Sequence, residues 1–134
     1  WSSDVCSSDL VLLGAKKVYG VDIDPLAVGA ARNNRSLNNM SDQNLVIEQG
    51  SLETLSKLTN GEPVDGILCN ILAEVIIDLI PLMSAIAKPT SWGVISGVLL
   101  DQVKPIADTL EQNNWIVATL WKRQDWCCFN IRRS

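Results

Sequence analysis

From Lys16 onward, short β-type runs take turns with apolar stripes at helical spacing, and this alternation restricts the chain more than any other feature. It is the sequence form of an α/β sheet. Residues 17–22 read as a strand that ends in acid, and Asp24 then caps a helix whose first residue is Pro25. A proline there suits a first turn, whose N–H groups lack helical partners anyway. Leu26, Ala27, Ala30, Ala31 and Leu37 are expected to form the helix face toward the sheet, with the end near Asn38-Asn39.

Residues 45–49 form the next expected strand, and Gly50-Ser51-Leu52-Glu53 turns away from it. Asn60-Gly61-Glu62-Pro63 is loop chemistry, and residues 64–69 give a further strand, apolar enough in its second half to be a buried parallel one. Leu72, Ile76, Leu79, Ile80, Met83, Ile86 and Ala87 then recur at a spacing of about 3.6, with Glu74 and Asp78 off the stripe. Such a stripe is core packing rather than a ligand surface. Lys88-Pro89-Thr90-Ser91 breaks that helix before a strand over 92–98, and Asp101 is the expected cap of a helix carrying Val103, Ile106, Ala107 and Leu110 inward. Pro105 is tolerable close to its first turn. Asn113-Asn114 stops the helix, and two strands, 115–121 and 126–132, face each other across a short turn as an antiparallel hairpin.

Composition narrows the chemistry. At 134 residues the chain fits one domain, and 47% apolar with 19% charged residues is globular composition. There is no histidine, which excludes imidazole-based triads and dyads. Cys6, Cys69, Cys127 and Cys128 contain no C-x-x-C pair, and Cys127 and Cys128 would point to opposite faces of a strand, so no metal site is expected. The net charge of −4, with basic residues gathered only near the end, gives no reason to expect direct nucleic-acid binding. The longest apolar region, 67–87, carries Asn70, Glu74, Asp78 and Pro81, against a membrane span. The opening WSSDVCSSDL has no basic segment and no apolar core, unlike a secretory signal.

Two strand ends carry polar groups, and the carboxyl edge is where open α/β sheets bind ligands. Asp22 stands where an acid accepts both hydroxyls of a ribose, as in nicotinamide and S-adenosylmethionine (SAM) enzymes alike. A plain turn carboxylate would look the same. Asn70 ends an apolar strand just before a strong helix. It is either an N-cap or turn residue, or an amide whose oxygen, with a neighbouring carbonyl, orients an amine.

The segments VYGVDIDPLAVGAARNN, CNILAEVI, GVISGVLLDQV and DWCCFNIRR, taken together, resemble the PrmA family, which methylates ribosomal protein L11. The resemblance runs from about Leu10 to the C-terminus. It implies a class I SAM-dependent methyltransferase sheet, Rossmann-like, that is truncated, lacks its first strand and Gly-rich loop, and closes with a C-terminal antiparallel hairpin. It implies SAM as cofactor, with Asp22 on the ribose, Ser51 and Leu52 flanking the adenine, and Asn70 beside the methyl donor and the incoming amine. The implied activity is methylation of lysine ε-amines and the N-terminal α-amine of L11, in the cytoplasm, with no membrane partner. Methyl transfer to another substrate and an inactive α/β fragment are the alternatives; the lack of an NPPY-type motif weighs against nucleobase and glutamine amide acceptors.

Three departures stand out. The glycine-rich motif that holds the methionine part of SAM has no counterpart, the family's separate N-terminal domain is absent, and Pro89-Thr90-Ser91-Trp92 replaces a Pro-Gly-Gly turn. The near-repeat in residues 1–9 reads as foreign to the gene, leaving 10–134 as a partial catalytic domain. In the family order 3-2-1-4-5-7-6 the missing strand lies between those ending at Asp22 and Asn70, and direct pairing of these two is the expected repair.

Overall fold

The computed structural model describes residues 10–134, so the segment 1–9 that reads as foreign lies outside the described residues. The chain divides into two compact units, one running to Gly61 and the other from Glu62 to Ser134.

In the first unit β1 (Val18–Asp22) pairs in parallel with β2 (Leu45–Gln49), Val18 against Leu45 and Asp22 against Gln49. They are joined through α1 (Pro25–Leu37), capped as expected by Asp24, whose carboxylate accepts from the Leu26 N–H at 2.9 Å. The core of this unit is Val18, Val28, Ala31, Leu45 and Ile47. The inward face of α1 differs from the sequence expectation. Leu26 and Leu37 are 82% and 74% exposed and Val28 is buried in their place, while Ala31 is buried as expected. At about 100° per residue Leu26, Ala30 and Leu37 lie opposite Val28. Arg32 and Arg35 flank Val28 instead, and their guanidinium groups donate to the carbonyls of Ile47 (2.9 and 3.2 Å) and Leu45 (3.0 Å). Polar residues thus share the sheet-facing side because they satisfy carbonyls of β2. A short helix, α2 (Leu52–Leu58), follows where sequence indicated only a turn.

The second unit contains β3 (Val64–Asn70), α3 (Ala73–Ile86), β4 (Ala87–Leu99), a 3₁₀ turn (Leu100–Gln102), α4 (Val103–Gln112), β5 (Trp115–Arg123) and β6 (Trp126–Arg133). Its sheet has the order β3-β4-β6-β5, with β3 parallel to β4 and β6 antiparallel to both neighbours. The expected hairpin is present, on a tighter turn of Gln124 and Asp125. Ile76, Ile80 and Met83 of α3, with Ile106 and Leu110 of α4, are buried, as are Ile95, Val98, Trp115, Phe129 and Ile131 of the sheet. Trp115 also donates its indole N–H to the Ser84 hydroxyl at 2.9 Å.

Three expectations are corrected. Strand β4 already begins at Ala87: the Ser91 hydroxyl accepts from the Lys88 N–H (2.7 Å) and donates to the Val64 carbonyl (2.6 Å), bridging the register shift between Val64 and Gly66. Asp101 does not cap α4, because it lies inside the 3₁₀ turn; Gln102 occupies the cap position and reaches back to the Leu99 N–H at 3.0 Å. The strands ending at Asp22 and Asn70 do not pair but belong to separate sheets. Each is tied to the next strand through its own crossover helix, β1 to β2 by α1 and β3 to β4 by α3, which accounts for the ladders that form on one edge of each.

Candidate functional site

Asp22 and Asn70 are each the last residue of their strand, the end that binds ligands in open α/β sheets. In the first unit, Oδ1 of Asp22 accepts from the Asp24 N–H at 2.9 Å, and its backbone carbonyl accepts from the Gly50 N–H at 2.9 Å. The second bond ties the tip of β1 to the turn after β2, so Asp22, Ser51 and Leu52 come together at one corner of this unit. The Asp22 Oδ2 oxygen takes no hydrogen bond from a described residue. Gly50 is packed so closely against the Thr54 side chain that a Cβ there would overlap it. The Ser51 N–H donates to Thr54 Oγ1 (3.2 Å) and the Ser51 hydroxyl to Glu53 (3.3 Å), while Leu52 turns inward and is buried.

Asn70 belongs to the second unit. It is exposed, and it is not the helix cap: that position is held by Leu72, whose carbonyl accepts from the N–H groups of Val75 and Ile76, both at 3.0 Å. Among the described residues the Asn70 carboxamide has no hydrogen-bond partner. Beside it the Cys69 thiol is half-buried, and burial pushes its pKa up to about 11, so it stays protonated at neutral pH. At the tip of β3 a neutral, hydrogen-bonding amide therefore stands beside a thiol rather than a thiolate. Sequence reasoning missed one neighbour, Gly97 of β4, whose Cβ, if present, would lie 2.5 Å from Asn70 Oδ1. An isolated glycine within a strand pattern was the available signal.

The strand orders β2-β1 and β3-β4-β6-β5 reproduce 3-2 and 4-5-7-6 of the methyltransferase order, with the central first strand lacking among the described residues. These are the strand orders of a class I SAM-dependent methyltransferase fold. The sequence model of the ribosomal protein L11 methyltransferase (PrmA) family matches residues 3–134. The ribosomal protein L11 methyltransferase of Cyanothece sp. is 49% identical over 121 residues, 90% of this chain and 39% of that protein. That of Thermosynechococcus vestitus is 45% identical, over 91% of this chain and 39% of the relative. The crystal structure of a ribosomal protein L11 methylase from Lactobacillus delbrueckii subsp. bulgaricus superposes with a TM-score of 0.89 at 26% identity, over 99% of this chain and 66% of that one. This chain belongs to the PrmA family. It spans about two fifths of the length of the curated relatives it matches.

Proposed function

We propose that residues 10–134 are part of the catalytic domain of an enzyme that methylates amino groups of ribosomal protein L11, the lysine ε-amines and the N-terminal α-amine, in the cytoplasm. The observation that carries this reading is the Asn70 carboxamide, exposed at a strand's carboxyl end and unused by the helix that follows. Family membership supports the same chemistry.

The residues present fit the nucleoside half of SAM. In this reading Asp22 offers the ribose hydroxyls its Oδ2, which takes no hydrogen bond from a described residue, and Ser51 and the backbone at Leu52 are the adenine's neighbours. The glycine-rich turn for the methionine half has no counterpart among the described residues. Bound there, SAM supplies a methyl group already activated on a sulfonium. Asn70 Oδ1 accepts an N–H of the neutral amine and so fixes the direction of its lone pair, a contribution of position rather than of acid–base chemistry. The protonated Cys69 thiol adds neither charge nor a competing nucleophile. The proton shed by the product leaves to solvent.

Isothermal titration with S-adenosylhomocysteine, paired with transfer of labelled methyl groups to L11, tests the reading. Asn70→Ala is expected to depress turnover more than cofactor affinity, while equal losses would reduce Asn70 to a structural residue. A second reading, an α/β fragment that binds no cofactor, is favoured by the lack of a glycine-rich turn among the described residues. No heat up to about 1 mM ligand would decide for it.

A further inference from the structure

We propose that Gly97 is a positioning residue whose missing side chain sets the direction of the Asn70 carboxamide; the catalytic meaning of that direction rests on the function proposed above. Ile95 pairs with Phe129 and Val98 with Cys127, so Ser96 and Gly97 together face the single residue Cys128. That is a β-bulge in β4, a device that recurs beside active sites because it re-aims what lies next to it. On the other side of β4 the same bulge meets the end of β3, where Asn70 pairs with Ser96. Gly97 has φ +77°, a left-handed conformation that side chains rarely adopt.

Two separate demands therefore fall on one position. The bulge needs a residue at home at positive φ, and Asn70 needs a residue without Cβ, because that atom would lie 2.5 Å from Oδ1 and 3.7 Å from Cγ of Asn70. Nonbonded carbon and oxygen do not approach to 2.5 Å, so the carboxamide would have to rotate away. No hydrogen bond to a described residue holds it where it is, and the bare backbone at Gly97 defines the space it occupies.

The demands can be separated by substitution. Asparagine tolerates positive φ far better than alanine but carries the same Cβ. Gly97→Asn should keep the bulge and still displace Asn70, whereas Gly97→Ala strains the backbone as well. The readout is the side-chain amide signal of Asn70 in ¹⁵N-labelled protein, assigned by its loss in Asn70→Asp. Gly97→Asn, with its backbone spectrum otherwise that of the parent outside the bulge, is expected to move both Asn70 amide protons. Unmoved signals in a folded Gly97→Asn variant would overturn the proposal. In the transfer assay the same variant should lose turnover by up to roughly 10²-fold, with S-adenosylhomocysteine affinity held. Moved signals with unchanged turnover in both Gly97→Asn and Asn70→Ala would uphold the positioning and defeat the catalytic role of Asn70 instead.

Discussion

Single side chains at the strand tips do two tasks that substitution can separate. Asp22 closes the turn onto the Asp24 N–H with one oxygen, and its other oxygen takes no hydrogen bond from a described residue and is the one proposed to meet the ribose. Asp22→Asn retains an acceptor for the turn but removes the charge, and hydrogen bonds to charged groups contribute about 1.5–3 kcal/mol. S-adenosylhomocysteine affinity should fall by at least about tenfold in calorimetry, with the melting temperature held. A melting temperature that falls with the affinity would make Asp22 a turn carboxylate only. Cys69 makes a pH prediction. Its folded pKa is raised from 9.0 to about 11 by burial, so the unfolded chain loses the proton first. The stabilisation is complete below about pH 9 and is lost as pH rises toward 11, by about 2–3 kcal/mol on the linkage relation. The comparison is with Cys69→Ala by urea unfolding: the parent should lose more stability than the variant between those pH values, and parallel losses would contradict it.

At the scale of elements, α1 tests which face of a helix its sheet uses. Val28→Ala removes two buried carbons and should cost about 2 kcal/mol, while Leu26→Gln and Leu37→Gln, on the outer side, should stay within about 0.5 kcal/mol. Asp24→Ala loses the cap and should cost about 1 kcal/mol. Chemical denaturation of the four variants checks the set; equal costs for Leu37 and Val28 would restore the face expected from sequence. The contrast marks what was legible. The order and place of the strands, the Asp24 cap, the α3 stripe and the hairpin were readable, because each is written in local periodicity or turn chemistry, whereas the start of β4 at Ala87 was not. The inward side of α1 was not, because Arg32 and Arg35 are drawn in by β2 carbonyls that no local pattern displays. Helix α2 was hidden by its length of seven residues. Asp22 and Asn70 were found as strand-terminal polar residues, but Gly97 matters through its closeness to Asn70 and through a bulge set by pairing with β6, a partner more than twenty-five residues away in sequence.

For the whole molecule, the decisive feature is that the described strands form two separate sheets. Among the described residues β1 pairs only with β2 and β3 only with β4, and the family order places a strand between β1 and β3. A central parallel strand of five residues carries about ten backbone groups for its two neighbours, each bond contributing about 0.5–1.5 kcal/mol net. That sum is comparable with the whole stability of a typical domain, about 5–15 kcal/mol. The same strand leads into the glycine-rich turn that holds the methionine half of SAM in the family, so stability and cofactor affinity should rise together. A longer chain carrying such an upstream strand and turn is expected to unfold in one calorimetric transition at a higher temperature than the 134-residue chain. It should also bind S-adenosylhomocysteine more tightly. Higher stability without tighter binding would mean that the strand repairs the sheet while the strand tips at Asp22 and Asn70 serve no cofactor. Tighter binding lost again in Asp22→Asn would tie the gain to the corner formed by Asp22, Ser51 and Leu52.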